Sequence, residues 1–526
     1  MIIVNQIKCT LDQTCTKEVV AKKLGCSVGD IHSFQILKES IDARKEPIQF
    51  VYSVLVDVKN EKRFLTNKDV TSGEKPTYIL PEVTFEATSR PIVGFGPSGL
   101  FTSLLLAEAG YNPIVLERGS DVDQRILDVD KFWEQGILNP ESNVQFGEGG
   151  AGTFSDGKLT TRIKDDRVIK VIDEFIEAGA DESIRYEAHP HIGTDKLRDI
   201  VKNIRKKIIR LGGEVKFNTR FENLILNEGK ITGVQTNQGS LDTDTVFLCL
   251  GHSAKDTIEK LVEQNVCAEP KSFAIGVRVE HNQQFIDKNQ YGEFYNHPRL
   301  RTAEYHLTHT ASNERGVYSF CMCPGGFVIP SSSIEKTLVI NGMSEHARNQ
   351  ENANSAILVQ VPIKDFYKGS VLDGFNYQEA IEKKAYELGG GNYNAPIQLI
   401  KDYLADQVST DFLDVKPSYC LGTTFADLST LFSTEINTAL KEAFIAFNRR
   451  IPGFSDGGGL MTGVETRSSS PVRLTRNDKG HSTTIENLYP CGEGVGYAGG
   501  IMSSAVDGIR IAEKYMNLKK INIWIL

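Results

Sequence analysis

The chain has 526 residues, 40% of them hydrophobic and 24% charged, with a net charge of −9. That length is more than one core serves, so several domains are expected, and the acidic balance argues against general attraction to nucleic acid or anionic lipid. No apolar run reaches the roughly 18 residues that span a bilayer, the start lacks a basic stretch ahead of a long apolar one, and nine cysteines without framework spacing read as reduced thiols, which together predict a cytoplasmic protein.

Residues 2–11 are strand-like, and residues 16–24 (TKEVVAKKL) form a short helix candidate with Thr16 as N-cap. Residues 50–58 (FVYSVLVDV) are a strongly β-branched strand. The pattern predicts a small α+β, ferredoxin-like module over residues 1–88, with residues 61–75, Pro76 and Pro81 as its linker. Residues 40–44 read as a charged loop, either a solvated turn or a docking segment.

Residues 90–118 organise the rest of the chain. Ile92 and Val93 end a buried strand, residues 94–99 (GFGPSG) form a Gly-rich turn, a helix follows, and residues 114–116 make a second strand. Gly94 permits the tight turn, Gly96 leaves room for a pyrophosphate, and Gly99 lets the helix pack closely. The helix N-terminus, at Pro97 and Ser98, offers unpaired N–H groups to phosphates. Glu117, followed by Arg118, stands where a carboxylate accepts from an adenosine ribose. The alternative is a Gly-rich αβ turn with no ligand.

After a charged loop comes a second Gly-rich run, residues 143–158 (NVQFGEGGAGTFSDGK), with Gly149 and Gly150 within it. It reads as a ligand contact or as a mobile surface loop. Residues 194–211 are an amphipathic helix. Short strands at 214–217, 221–226 and 231–236 read as a β-meander, and residues 245–250 as a buried strand ending at Gly251. These complete a first FAD-type segment over 89–263. Residues 264–455 mix strands (273–279, 316–320, 327–329, 337–341, 356–361) with helices (377–388, 434–448) and read as an inserted substrate or cap domain. Residues 456–526 return to nucleotide chemistry: a strand end, a turn at Gly492 and Glu493, and a small-residue helix opening at Gly500 and Ile501.

Taken together, these segments resemble the FAD-dependent oxidoreductases of the glutathione-reductase-like superfamily, within it a family of FAD-dependent dehydrogenases with a small N-terminal domain. The resemblance rests on residues 94–99 with Glu117, and on residues 147–158, 189–195 (HPHIGTD), 250–253 (LGHS), 464–473 (VETRSSSPVR) and 491–508. Ser103 departs from it, standing where the extended fingerprint often has glycine; so does Glu493, where many relatives have Asp. The resemblance implies an α/β fold: a Rossmann-like FAD-binding domain with a β-meander, an inserted α+β cap and the N-terminal module. It implies that Gly94, Gly96, Gly99 and Glu117 hold the ADP half of FAD, and that Gly492, Glu493, Gly500 and Ile501 lie near the ribityl chain and the isoalloxazine. Residues 150–158 then pass the ring, which makes Ser155, Asp156 and Lys158 candidate site residues.

Other candidates carry a bland alternative. His189 and His191 read as a polar pocket wall or as loop histidines, and no further ligands at matching spacing support a metal. Cys321 and Cys323 form a C-x-C whose redox role depends on geometry. Arg467 or Arg473 could fix an acidic substrate or a nicotinamide phosphate, or pair between domains. The functional expectation is hydride transfer between a small-molecule substrate and flavin N5, with NAD(P)H as a transient donor because the chain has a single fingerprint. The alternatives are a flavin-dependent RNA-modifying or nucleic-acid-binding protein, and a non-catalytic redox-linked flavoprotein.

Overall fold

The computed structural model describes residues 1–81, 90–161 and 163–523, with side chains to residue 518. The boundary expected at 88/89 lies outside them. Five short parallel strands form the central sheet, in the order Leu488–Pro490, Val246–Leu248, Ile92–Gly94, Ile114–Leu116, Glu214–Lys216. Four of them are apolar and buried along nearly their whole length, as in a parallel sheet covered on both faces. Glu214–Lys216 pairs with Ile114–Leu116 at the edge. It therefore belongs to this sheet and not to the meander, which is Phe221–Asn227, Lys230–Thr236 and Gly239–Asp242. Helix Pro97–Glu108 lies against helix Ile501–Ile523, where a Cβ on Gly508 would stand 2.3 Å from the Ser98 carbonyl oxygen. Phe101, Leu104, Ala505 and Val506 fill that contact.

The charged loop expected after Arg118 is instead helix Val122–Gln135. Asp121 caps it by accepting from the N–H groups of Asp123 and Gln124.

A seven-stranded sheet forms the second layer, in the order Thr308–Thr310, Gly316–Cys323, Asn352–Val361, Phe273–Asn282, Leu460–Glu465, Ala395–Leu399, Thr423–Phe425. Leu460–Glu465 lies beyond residue 455 and pairs with Phe273–Asn282, so this sheet runs on into the C-terminal segment. Helix Thr434–Arg450 covers it through Ile436, Leu440 and Phe444.

The N-terminal sheet has the order Ile31–Asp42, Gln49–Val58, Ile2–Thr10, Val70–Ser72, all antiparallel. One helix, Lys17–Leu24, packs against it, and Glu61–Phe64 form a short 3-10 helix. Two expectations fail here. Residues 61–75 contribute a strand of the sheet, not only a linker, and residues 40–42 end a strand of 12 residues. That strand carries two register shifts, which break the period-2 alternation that sequence reading depends on. The module's apolar core continues into Ile286, Tyr291, Ala303 and Met322 beside the large sheet. Among the described residues, no helix is long and apolar enough to cross a membrane.

Candidate functional site

A cavity of about 380 Å³ opens between the two main sheets. Its floor is the turn at residues 94–98. Helix Pro97–Glu108 starts at Gly96 with no side-chain cap, so its first N–H groups are left for a ligand. A Cβ at Gly99 would lie 1.6 Å from the Gly94 carbonyl oxygen, and one at Gly94 would lie 2.9 Å from that of Cys249. Backbone packing alone demands glycine at both. Gly96 differs: a Cβ there meets nothing nearer than 3.8 Å, and Gly251, Gly499 and Gly500 have nothing within 4 Å. All four stand on the cavity wall, so the space their missing side chains leave faces the cavity. A bare helix start beside Gly96, Gly251 and Gly499, where neither neighbours nor a positive φ demand glycine, suits a diphosphate.

Glu117 ends the second strand, buried, and its Oε1 accepts from Gly119 N–H at 2.9 Å and Gly147 N–H at 3.0 Å. Burial raises its proton affinity, against the pull of those N–H groups and of Arg125. Arg118 is on the wall, but its guanidinium is committed: it pairs with Glu141 (2.9 Å) and Asp256 (3.1 Å) and lies 4.0 Å over the Phe146 ring. Arg125, fully buried, donates to the carbonyls of Asn143, Val144 and Glu148 and fixes the second Gly-rich run. That run returns to the first turn, where Gly150 at φ +65° would place a Cβ 3.2 Å from Gly96 Cα. Gly149 supports the bend from outside the wall.

From the C-terminal segment, Gly492 takes φ +86° and donates its N–H to Asp507 at 2.9 Å. Glu493 meets His252 Nδ1 at 3.0 Å, and His252 Nε2 is buried with no partner among the described residues. Glu493, His252 and Ile501 line the cavity; Gly99 and Gly492 stand behind it.

The far wall carries the charged groups. Lys158 Nζ pairs with Glu304 at 2.8 Å, and His189 Nδ1 reaches the same carboxylate at 2.6 Å. Burial opposes the Lys158 charge, but Glu304 and Asp156 outweigh it and hold the amine above its usual range. Asp156, behind Lys158, is gripped by Arg348 at 2.5 and 3.0 Å. Ser155 lines the wall while closing a turn, donating to Gly152 O and accepting from Gly157 N–H. Arg467 grips buried Glu382 at 2.6 and 2.8 Å, and its Nη1 has no partner among the described residues. His191 is not on the wall: it bonds the His346 carbonyl oxygen at 3.1 Å and stacks on the His346 ring. Burial lowers its pKa to about 4, so it is neutral.

Two features escaped sequence reading. Asn341 reaches the wall from the strand Ile340–Met343. Arg278 is fully buried and clasps Glu465 at 2.6 and 3.1 Å. Its signal was visible: a charge in the middle of FAIGVRVEHN, an otherwise buried strand, needs a buried partner.

Residues 272–468 match the family described as FAD-dependent protein, C-terminal domain-like, and residues 1–57 match a domain of unknown function. Among solved structures, glycine oxidase from Bacillus cereus is 11% identical, with 82% of this chain and 96% of that one covered and a TM-score of 0.30. L-amino acid deaminase from Proteus vulgaris is 10% identical over 83% and 96%, with a TM-score of 0.32. Scores this low carry nothing about substrate or reaction. A protein from Clostridium beijerinckii, itself uncharacterised, is 49% identical over 519 residues, 97% of each chain. The glycine-lined cradle and the FAD-dependent domain agree on FAD as the cofactor, and the chain belongs to the family of that Clostridium protein.

Proposed function

We propose that the protein is an FAD-dependent oxidoreductase of the dehydrogenase type, exchanging a hydride with a small anionic substrate. One observation carries the reading: the cavity that holds the dinucleotide cradle continues without a break to a wall bearing Lys158, Asn341, Glu465 and Arg467. Bound FAD supplies the two-electron chemistry. The chain supplies placement. The N–H groups at the start of helix Pro97–Glu108 meet the diphosphate, and the free Oε2 of Glu117 is left for the ribose. Lys158 stays cationic beside Glu304, and Arg467 offers Nη1, so both favour a negatively charged group. The buried pairs behind them, Asp156 with Arg348 and Arg467 with Glu382, keep those positions rigid. A nicotinamide dinucleotide serves in this reading only as a passing electron donor.

The test is anaerobic mixing of the holoprotein with NADH, NADPH and a panel of small carboxylates, neutral alcohols and amines, followed at the flavin absorbance band. Bleaching by an anionic compound is expected, and it should weaken in Arg467→Lys. Bleaching only by neutral or cationic compounds would contradict the assignment.

A further inference from the structure

We infer that Cys321 and Cys323 form a thiol–disulfide exchange site on the cavity wall, acting on small disulfides. Cys321 lies on the wall and is partly exposed, whereas Cys323 is fully buried behind it. They sit on Gly316–Cys323 at a β-bulge, where Phe320 faces Ala356 and Cys323 faces Asn354, so the strand carries one extra residue. Cys321 takes φ +44°, a left-handed conformation that a non-glycine residue holds only when its surroundings impose it.

Those surroundings are a fixed cation. Arg278, locked by Glu465, donates to the Cys321 carbonyl oxygen at 3.2 Å, to Asn354 Oδ1 at 2.6 Å and to Cys323 Sγ at 3.9 Å. The Cys323 thiol donates to the Cys321 carbonyl at 3.3 Å. The Cys323 thiol lowers the Cys321 pKa to about 7 against burial, with help from Arg278 and Lys158; Cys323 itself is held protonated. An accessible thiolate with a protonated thiol behind it is the arrangement exchange requires.

The chemistry balances without any other reagent. The Cys321 thiolate attacks one sulfur of a disulfide RSSR; a Cys321–SR bond forms, the S–S bond of RSSR breaks, and RS⁻ leaves. Cys323 loses its proton to the departing thiolate and attacks Cys321 sulfur; the Cys321–Cys323 bond forms and the second RS⁻ leaves, taking a proton from solvent. Two protein thiols are oxidised and one disulfide is reduced to two thiols. This site is independent of the hydride-transfer reading.

The experiment uses the full-length holoprotein equilibrated with glutathione disulfide and with hydroxyethyl disulfide, then alkylated and digested with trypsin. Residues 316–336 form one tryptic peptide whose cysteines are Cys321 and Cys323 alone. Its mass should fall by two hydrogens and resist alkylation. Cys323→Ser should instead hold one mixed disulfide on Cys321, and Cys321→Ser should show neither. Before oxidation, Cys321 should alkylate about ten-fold faster than Cys323. The inference fails if both cysteines of the wild-type peptide stay free across the whole range of disulfide, or if Cys321→Ser is still modified at Cys323. The wild-type peptide decides the matter even if a variant does not fold.

Discussion

Gly147 and Gly119 both donate their backbone N–H to one oxygen of Glu117, at 3.0 and 2.9 Å. A single buried carboxylate thus ties the second Gly-rich run to the end of the strand that follows the first. Glu117→Ala should weaken FAD binding by at least about ten-fold, since hydrogen bonds to a charged group contribute about 1.5–3 kcal/mol. Glu117→Gln keeps an acceptor oxygen and should lose less. Flavin retained after gel filtration, compared across the two variants, measures this; equal losses would remove the tethering role.

The glycines of the first turn should separate into two classes. Gly96→Val fills space that faces only the cavity, so the variant should fold normally and purify without flavin. Gly99→Ala drives a methyl into the Gly94 carbonyl and should cost stability, in the range of about 1–3 kcal/mol or more for overpacking. Denaturation midpoints of the flavin-free proteins distinguish the classes. A yellow Gly96→Val protein with stoichiometric FAD would overturn the cradle.

Acid sensitivity should have an identifiable source in His281. The ring is fully buried, its Nε2 lies 2.7 Å from the Phe454 carbonyl oxygen, and burial lowers its pKa to about 4. The unfolded chain therefore binds a proton between about pH 6.5 and 4 that the folded chain does not. Its contribution to stability is complete above that window and falls as pH drops through it, by about 1.4 kcal/mol per pH unit. Between pH 7 and pH 5, His281→Gln should lose about 2 kcal/mol less than the wild type in denaturant titrations. Identical losses would mean that the ring already carries its proton in the fold.

The N-terminal module should matter for stability and not for cofactor content. Arg299 donates to the carbonyls of Leu11 and Gln13 at 2.7 and 2.9 Å, and its guanidinium lies 4.3 Å over the Phe50 ring. Arg299→Met should cost about 1–3 kcal/mol, because it removes both hydrogen bonds and the cation over the Phe50 ring. Among the described residues, none before Ile92 lines the cavity, so the flavin-to-protein ratio should not change. A matching drop in flavin would show that the module shapes the site. Deleting residues 1–81 is a harsher change: it uncovers Ile286, Tyr291, Ala303 and Met322, and aggregation is the expected outcome.

What the residues by themselves determined is local. Turn glycines, a helix start and an acid at the end of a strand lie within one short stretch, and each acts on its chain neighbours. That is why Gly94, Gly96, Gly99 and Glu117 were legible as a strand–turn–helix–strand unit ending in an acid, and why the apolar runs around Val93, Val115 and Phe247 were legible as buried strands. Tertiary structure decided whatever depends on partners far along the chain. Arg278 meets Glu465 across 187 positions, and Asp156 meets Arg348 across 192. Nothing at either end of those separations identifies the other, because a charge becomes tolerable in a core only once folding supplies its counter-charge. The same holds for the N-terminal sheet, whose bulged strand hides its own period, and for Cys321, whose spacing from Cys323 says nothing until Arg278 and Lys158 are placed around it.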